Sequence, residues 1–528
     1  MSTTAARPET STADHDRSGA IPGGLATLIG LVSVAAALGV GHLVALSAPG
    51  SSPFFAVGDT VIRFSPQWLT EFAKTTFGTA DKPILLGSMA VVIAIVAAIA
   101  GLLSRRSVRP GLTLVVVLGL AGLVVVVFAP TFGPLSPLAP IASIAAGVGS
   151  FAWLHRLASR TAAPATTGGR GVSRRGVLIG TAAVGAGAVV AGGGGVLLAP
   201  GIDDARARVT ARLAAAPLVE TAPAVPAGAA FVEAGTPPFI TSNAEFYRVD
   251  TALSLPLQSE RSWSLRIGGM VDRPIALNFD DIMSRPLVER TITMTCVSNV
   301  VGGPYISTAD FVGVELRDVL LEAGIQPGAD QVLSTSLDGW TAGSPTDVIM
   351  EPGRGALIAV GMNGEALPAE HGFPVRLIVP GLYGFLSATK WLTDIELTTF
   401  DADRGYWLQR GWGQFAPIKT QSRIDFPKGL STQPAGRLTA AGIAWSQPTG
   451  ISRVEVRMDG GPWQDAELGE EVNTRTWRMW RADFELAPGS HTVQTRATDR
   501  NGVTQTEMRA DPIPDGASGW PATIFTVS

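Results

Sequence analysis

Thr291-Ile292-Thr293-Met294-Thr295-Cys296-Val297-Ser298-Asn299-Val300-Val301-Gly302-Gly303-Pro304 is the stretch on which the reading of this chain turns. Its first half alternates with a period of two, the pattern of a β-strand, so Ile292, Met294 and Cys296 share one face. Its second half is a turn of small residues whose backbone can approach a ligand closely. A strand that ends on a thiol at the mouth of such a turn can bind a soft or high-valent metal through the thiolate. Cys296 is the only cysteine in 528 residues, which excludes an intramolecular disulfide, a four-cysteine zinc site and haem attached through CxxCH. One thiolate makes a metal site only with a cofactor that brings its own donor atoms. Otherwise the residue is a small buried hydrophobe.

Around this stretch the chain divides by composition. Residues 21–199 are dominated by Ala, Gly, Val, Leu and Ile, and residues 240–528 carry an ordinary polar mixture, so a membrane part and a soluble part share the chain. The net charge of −4 and the absence of a basic stripe with interleaved aromatics exclude nucleic acid as a partner.

A membrane-crossing helix needs about 20 apolar residues. Five stretches qualify: 22–47, 83–103, 111–129, 138–154 and 176–199, the last weakened by Gly192 to Gly195 and readable as a cleavable segment. Residues 1–20 form a cytoplasmic tail. Arg105, Arg106 and Arg109 follow the second span, and Arg156, Arg160, Arg170, Arg174 and Arg175 follow the fourth. By the positive-inside rule these loops face the cytoplasm, and everything after residue 200 lies outside. Ser173-Arg174-Arg175-Gly176-Val177-Leu178 resembles an internal twin-arginine export signal, a route that carries proteins already folded around a cofactor. It also reads as an ordinary positive flank. His42 and His155 are the only span histidines and sit at opposite faces, so no haem is expected, and no iron-sulfur ligands are present either.

Residues 200–240 hold Pro217, Pro223, Pro226, Pro237 and Pro238 and read as an Ala/Pro-rich tether. Residues 241–425 alternate short strand patterns (262–267, 290–297, 375–379 and 391–397) with a helix at Leu316 to Ala323, an α+β domain. Residues 426–528 hold strand patterns alone, at 437–445, 451–458, 474–484 and 491–498, with turns at Asp459-Gly460-Gly461 and Asp499-Arg500-Asn501-Gly502. That spacing predicts a small all-β sandwich.

Cys296-Val297-Ser298-Asn299-Val300-Val301-Gly302-Gly303 resembles the molybdenum-ligand segment of the sulfite oxidase family. Phe246-Tyr247-Arg248-Val249-Asp250 is similar to the family's Phe-x-Arg-Asn-His segment, and Asp338 falls in a region resembling another pterin contact. The strongest block is His371-Gly372-Phe373-Pro374-Val375-Arg376-Leu377-Ile378-Val379-Pro380-Gly381, closing on Ala388-Thr389-Lys390-Trp391. The resemblance covers about 241–528 and implies a molybdenum–molybdopterin cofactor with Cys296 as the protein ligand of molybdenum. It implies that Phe246, Tyr247, Arg248, Asp338, His371, Arg376, Ala388, Thr389 and Lys390 bind that cofactor. Residues 426–528 resemble the family's immunoglobulin-like dimerisation domain, which implies a homodimer.

The chain departs from the family at Val301, where an arginine belongs, and at Trp412, which stands where the family places tyrosine. Cys296, Arg248 and Trp412 are thus the expected catalytic set, and the loss of a cation loosens the case for a small anion. The expected function is two-electron oxygen-atom transfer on the outer side of the cytoplasmic membrane, on sulfite or a related small oxyanion, with electrons passing to a separate cytochrome or membrane partner. A sulfoxide reductase of the same superfamily and a non-catalytic membrane-tethered binding protein are the alternatives.

Overall fold

The computed structural model describes residues 20–47, 50–77, 80–129, 132–162, 179–187 and 201–528. The chain forms two compact units: the described residues before 201 together with Ala252–Ser254, and residues 201–251 with 255–528.

The first unit is helical: α1 (Gly23–Val44), α2 (Pro53–Phe64), α3 (Gln67–Phe77), α4 (Asp81–Leu103), α5 (Arg109–Val127) and α6 (Leu138–Ala162). Four of them, α1, α4, α5 and α6, are long and apolar enough to cross a membrane. They leave Val91, Ile95, Val117 and Val124 exposed, an outer surface suited to lipid and unsuited to water. Inward packing uses small residues: a Cβ on Gly30 would overlap the carbonyl of Ala97, and one on Gly101 the carbonyl of Ala26, so α1 and α4 lie backbone to backbone. Between the first two of these long helices, α1 and α4, lie the shorter α2 and α3. His155 spends Nε2 on the Ser104 carbonyl at 2.7 Å, and His42 packs against Phe55. Of the fifth expected span only 179–187 is described, and it is helical. The rest of that span, the twin-arginine segment and residues 1–19 of the cytoplasmic tail lie outside the described residues.

In the second unit the chain runs α7 (Ile202–Ala215), β1 (Leu218–Glu220), β2 (Ser264–Gly269), β3 (Ile275–Asn278), α8 (Phe279–Met283), β4 (Leu287–Thr295) and β5 (Ile306–Glu315). It continues through α9 (Leu316–Ala323), β6 (Gln331–Ser336), β7 (Thr341–Pro345), β8 (Leu357–Met362), β9 (Glu365–Ala366), β10 (Arg376–Ile378) and β11 (Leu392–Thr398). Two sheets result, in the orders β1-β4-β5-β8-β10 with β9 on β8, and β3-β2-β11-β6-β7. One apolar core, with Ile292, Phe311, Leu357 and Ile395 at its centre, joins them.

The tether expectation fails at its N-terminal end. Residues 202–215 form α7, whose Ile202, Ala205 and Val209 are buried in that core, while Arg208 makes a two-pronged contact with the buried Glu260 at 2.9 and 3.2 Å. The prolines begin only at Pro217, so they end this helix and do not prevent it.

Beyond residue 420 the chain is β only: β12 (Gln421–Phe426), β13 (Thr432–Gln433), β14 (Gly436–Trp445), β15 (Ile451–Met458), β16 (Gln464–Asp465), β17 (Glu467–Leu468), β18 (Arg478–Leu486), β19 (Gly489–Asp499) and β20 (Ala522–Val527). Two sheets, β12-β14-β18-β17 and β13-β20-β19-β15-β16, share one core containing Ala440, Val454, Trp480, Val493 and Phe525. Alternation along β15 and β19 supplies that core with one face of each strand.

Candidate functional site

Strand β4 hands Cys296 to the turn that follows it. Cys296 N donates to the Tyr305 carbonyl at 3.0 Å and Asn299 N to the Cys296 carbonyl at 3.1 Å, while Asn299 Oδ1 accepts from Tyr305 N at 2.9 Å. These bonds fix the turn around the sulfur. Sγ lies 2.9 Å from Ser298 Oγ, and the residue is 8% exposed. The face of β4 that alternation would leave polar is also buried, Thr291, Thr293 and Thr295 included.

The second component comes from the segment before β2. Phe246 sets its ring edge against His371 at 5.3 Å and against Phe311 at 6.2 Å, and Tyr247 N donates to Ser307 Oγ on β5 at 3.2 Å. Tyr247 therefore arrives beside Tyr305, ring centres 6.4 Å apart. Burial holds its hydroxyl well above the usual phenol range, and the negative charge of a Cys296 thiolate adds to the shift.

The third component is the block from His371 to Lys390. His371 and Arg376 are both 2% exposed. Arg376 Nη1 donates to the His371 carbonyl at 3.0 Å, and at Gly372 (φ +109°) an added Cβ would press on Lys390 Cα and Arg376 Cβ, each at 3.1 Å. The left-handed backbone at this glycine thus lets the two cation-bearing segments close on each other. Lys390 Nζ bonds Asp250 Oδ2 at 3.1 Å and the Glu370 carbonyl at 2.8 Å, and Asp250 also accepts from Arg248 Nε at 2.8 Å.

Burial dominates the protonation of this cluster. His371 falls to about 3 because burial and then the charges of Arg376 and Lys390 oppose a second proton, so its imidazole is neutral. Nε2 faces the Asn243 carbonyl at 3.2 Å. Lys390 falls to about 8, burial again coming first and Asp250 opposing it. Arg376 falls to about 10 through burial and still carries its charge at neutral pH.

Three donors here have no partner among the described residues: Arg376 Nε, Asn299 Nδ2 and the hydroxyl of Thr295, all buried. No carboxylate forms an ion pair with Arg376 among the described residues. A buried charged donor left in this state costs several kcal/mol unless an anion meets it. One thiol, a neutral imidazole and an unpaired buried guanidinium, beside two cations that share the carboxylate of Asp250, fit a ligand that carries an anionic phosphate and a thiol-seeking metal. Among the described residues there is no cluster of three or more His, Cys, Asp or Glu that would hold a metal by side chains alone.

The remaining expected residues divide. Trp412 is buried beside Phe385 (5.7 Å) and Trp407 (5.9 Å), in an apolar cluster that also holds Val297 and Tyr383. The Thr389 hydroxyl lies 2.6 Å from the Ser334 hydroxyl, and Ala388 is half-buried against the main core. Asp338 spends its carboxylate on its own turn, accepting from Trp340 N at 3.1 Å, although the neighbouring Leu337 reaches Trp391. Two residues were missed. Asp250 stood in the quoted Phe246 segment, and its negative charge near Arg248 was the available signal. Tyr383, buried and raised to about 12 with Cys296 among the contributing charges, gave none.

Residues 252–407 match the family described as the oxidoreductase molybdopterin binding domain. Arg248 and Trp412 fall just outside that match. The chain is 31% identical to sulfite oxidase of Gallus gallus over 299 residues, 48% of this chain and 64% of that protein. It is 27% identical to nitrate reductase [NADH] of Hordeum vulgare over 319 residues, 48% of this chain and 35% of that one. Among solved structures, the sulfane dehydrogenase SoxCD from Paracoccus pantotrophus aligns at 22% identity and a TM-score of 0.49, over 55% of this chain and 84% of that one. The chain thus spans less than two thirds of the length of these curated relatives.

Proposed function

We propose, from the premise that this chain is an oxidoreductase with a molybdopterin-binding domain of the sulfite oxidase kind, that it carries out two-electron oxygen-atom transfer on a small molecule. What supports the reading is the sole thiol at the end of β4 together with the buried guanidinium of Arg376, whose Nε meets no partner among the described residues. Cys296 is the protein ligand of molybdenum, and Arg376, Lys390 and the neutral His371 hold the pterin and its phosphate, as charge-assisted donors suit an anion. Phe246 and Tyr247 wall that site, while Ala388, Thr389 and Asp338 contribute position through the backbone around Lys390. When bound, the cofactor supplies oxygen-atom exchange between its +6 and +4 states, chemistry that the protein orients and tunes.

Arg248 is the exposed cation of the site and meets substrate with Trp412 behind it. Sulfite or a related small oxyanion is the first substrate class. The site's rim favours a second: Arg248 is already paired with Asp250, and Val300 and Val301 occupy the turn beside the thiol. A neutral sulfoxide, reduced by the same transfer run in reverse, suits that lower positive charge.

Four candidate spans, with Arg105, Arg106, Arg109, Arg156 and Arg160 on one side, support a membrane anchor whose catalytic half lies outside the cytoplasm once a further segment crosses at 176–199. The two-sheet C-terminal region from 426 is an immunoglobulin-like domain that pairs two copies, and a separate cytochrome or membrane carrier exchanges the electrons. Molybdenum content of the purified chain, with sulfite plus ferricyanide against sulfoxide plus a reduced dye, tests the reading. Metal with turnover of one substrate supports it. Protein without molybdenum from a cofactor-competent host overturns it and leaves the non-catalytic binding protein.

A further inference from the structure

Strand β4 is paired with β5 along Val288 to Thr295, but on its other edge β1 reaches only Leu287 and Val288. The open edge beyond is the one that leads to Cys296. It is closed by the C-terminal β-domain, through the segment 473–477 and the side chain of Gln447. Thr293 N donates to the Arg475 carbonyl at 3.0 Å, Asn473 Nδ2 to the Thr291 carbonyl at 3.2 Å, and Gln447 Nε2 to the Thr293 carbonyl at 3.2 Å. Trp477 N donates to Thr293 Oγ1 at 2.8 Å, and that hydroxyl also meets Thr308 Oγ1 on β5 at 2.5 Å.

Thr293 is 1% exposed, so each of these groups would otherwise be buried and unpaired. The same Trp477 sends its indole N–H to the Phe239 carbonyl at 3.1 Å and packs edge-on against the Phe239 ring. On the far side Thr241 N donates to the Thr308 carbonyl at 2.8 Å. One loop of the β-domain is thereby tied both to the strand that presents the thiol and to the segment that leads into Phe246 and Arg248.

We infer that the C-terminal β-domain is a working part of the cofactor site, and that Thr293, clamped by Trp477 and Gln447, is a positioning residue that aims Cys296. Thr293 lies three residues upstream, about 10 Å along an extended strand, and does not itself touch the cofactor. Its hydroxyl joins the domain's loop to the β4–β5 pair, so a loss there lets the strand end shift relative to His371 and Arg376. The inference rests on the proposed ligation by Cys296, although the clamp itself does not.

The test compares Thr293→Val, Thr293→Ser and Gln447→Met in the full chain. Because Cys296 is the sole thiol, iodoacetamide labels it alone, and its alkylation rate in cofactor-free protein reports how the strand end is held. In loaded protein the Mo(V) electron paramagnetic resonance spectrum reports the ligand geometry. Thr293→Val and Gln447→Met are expected to raise the alkylation rate and lower retained molybdenum by about 10-fold, as lost supporting bonds around a metal ligand do. Both are expected to alter the Mo(V) line shape, and Thr293→Ser, which keeps the hydroxyl, to restore all three readouts. Wild-type alkylation and line shape in Thr293→Val and Gln447→Met overturn the inference, as does a Ser variant as impaired as the Val variant, whose loss would then be one of folding. Wild-type protein that takes up no molybdenum ends the cofactor reading alone, and the alkylation comparison still decides the clamp.

Discussion

Arg376 donates through Nη1 to the carbonyl oxygen of His371 at 3.0 Å, while its Nε, equally buried, meets no partner among the described residues. A carbonyl oxygen carries only a partial charge, so the guanidinium retains most of its desolvation cost in the cofactor-free protein. Arg376→Met keeps the length and apolar stem and removes that cost. Cofactor-free Arg376→Met is expected to be more stable than cofactor-free wild type, by about 1–4 kcal/mol. The loaded variant is expected to lose the added stability that a bound ligand gives wild type. Denaturation of the two proteins in both states measures the crossing. A variant stabilised by cofactor as strongly as wild type would remove Arg376 from the anion site.

Lys390 titrates near about 8 in the fold against an ordinary 10.5, burial being the main cause. Between these values the unfolded chain binds more protons than the folded one, so folding stability rises with pH there. The lysine penalises the cofactor-free fold fully below about 8, and the penalty is gone above 10.5. An anionic ligand reverses the preference by holding the proton on. Cofactor affinity is therefore expected to be flat below about pH 8 and to fall by up to about tenfold per unit above it. Lys390→Arg, charged throughout, is expected to flatten the profile. Pterin fluorescence released from washed protein at each pH is the measurement.

The candidate site residues were legible because each stands in a marked place: a sole cysteine at a strand end, and His371, Arg376 and Lys390 within one apolar block. The helix at Leu316–Ala323 forms at the residues expected, since its apolar positions follow the helical period closely. What escaped is tertiary. Alternation in 291–296 reads as a strand with one wet face, yet its threonines are buried, and another domain supplies partners to the Thr291 carbonyl and to Thr293. No local pattern reports that. Asp250 was visible as a residue, but its role depends on Lys390, 140 positions away, reaching the same carboxylate. Asp338 and Thr389 were placed by resemblance, and the fold commits their polar atoms to neighbouring turns and strands.

Helix α7 shows the cost of reading prolines too widely, and it gives a stability prediction. Val209 is fully buried between the helix and the domain core. Val209→Asp places a carboxylate where water does not reach and where Arg208 and Arg212 are already engaged by Glu260 and Asp280. Loss of roughly 3 kcal/mol or more is expected, seen as a lower midpoint in urea unfolding of the full chain. A soluble fragment beginning after residue 216 is expected to show the same deficit. Wild-type stability in both would make the helix an ornament of the linker.

Cys296→Ser separates the chemical role of the thiol from its packing role. Serine is nearly isosteric, and the site already holds a hydroxyl 2.9 Å from the sulfur, at Ser298. The new hydroxyl can therefore bond Ser298, and melting of the cofactor-free variant is expected to stay within about 1 kcal/mol of wild type. An alkoxide is a much poorer partner than a thiolate for a soft or high-valent metal at neutral pH, because a serine hydroxyl does not ionise there. The variant is expected to keep pterin, held by Arg376, Lys390 and His371, while oxygen-atom transfer falls by at least about a hundredfold. Quantified pterin, metal and turnover on one preparation check this. Full turnover in Cys296→Ser would mean that the sulfur is only a small buried side chain.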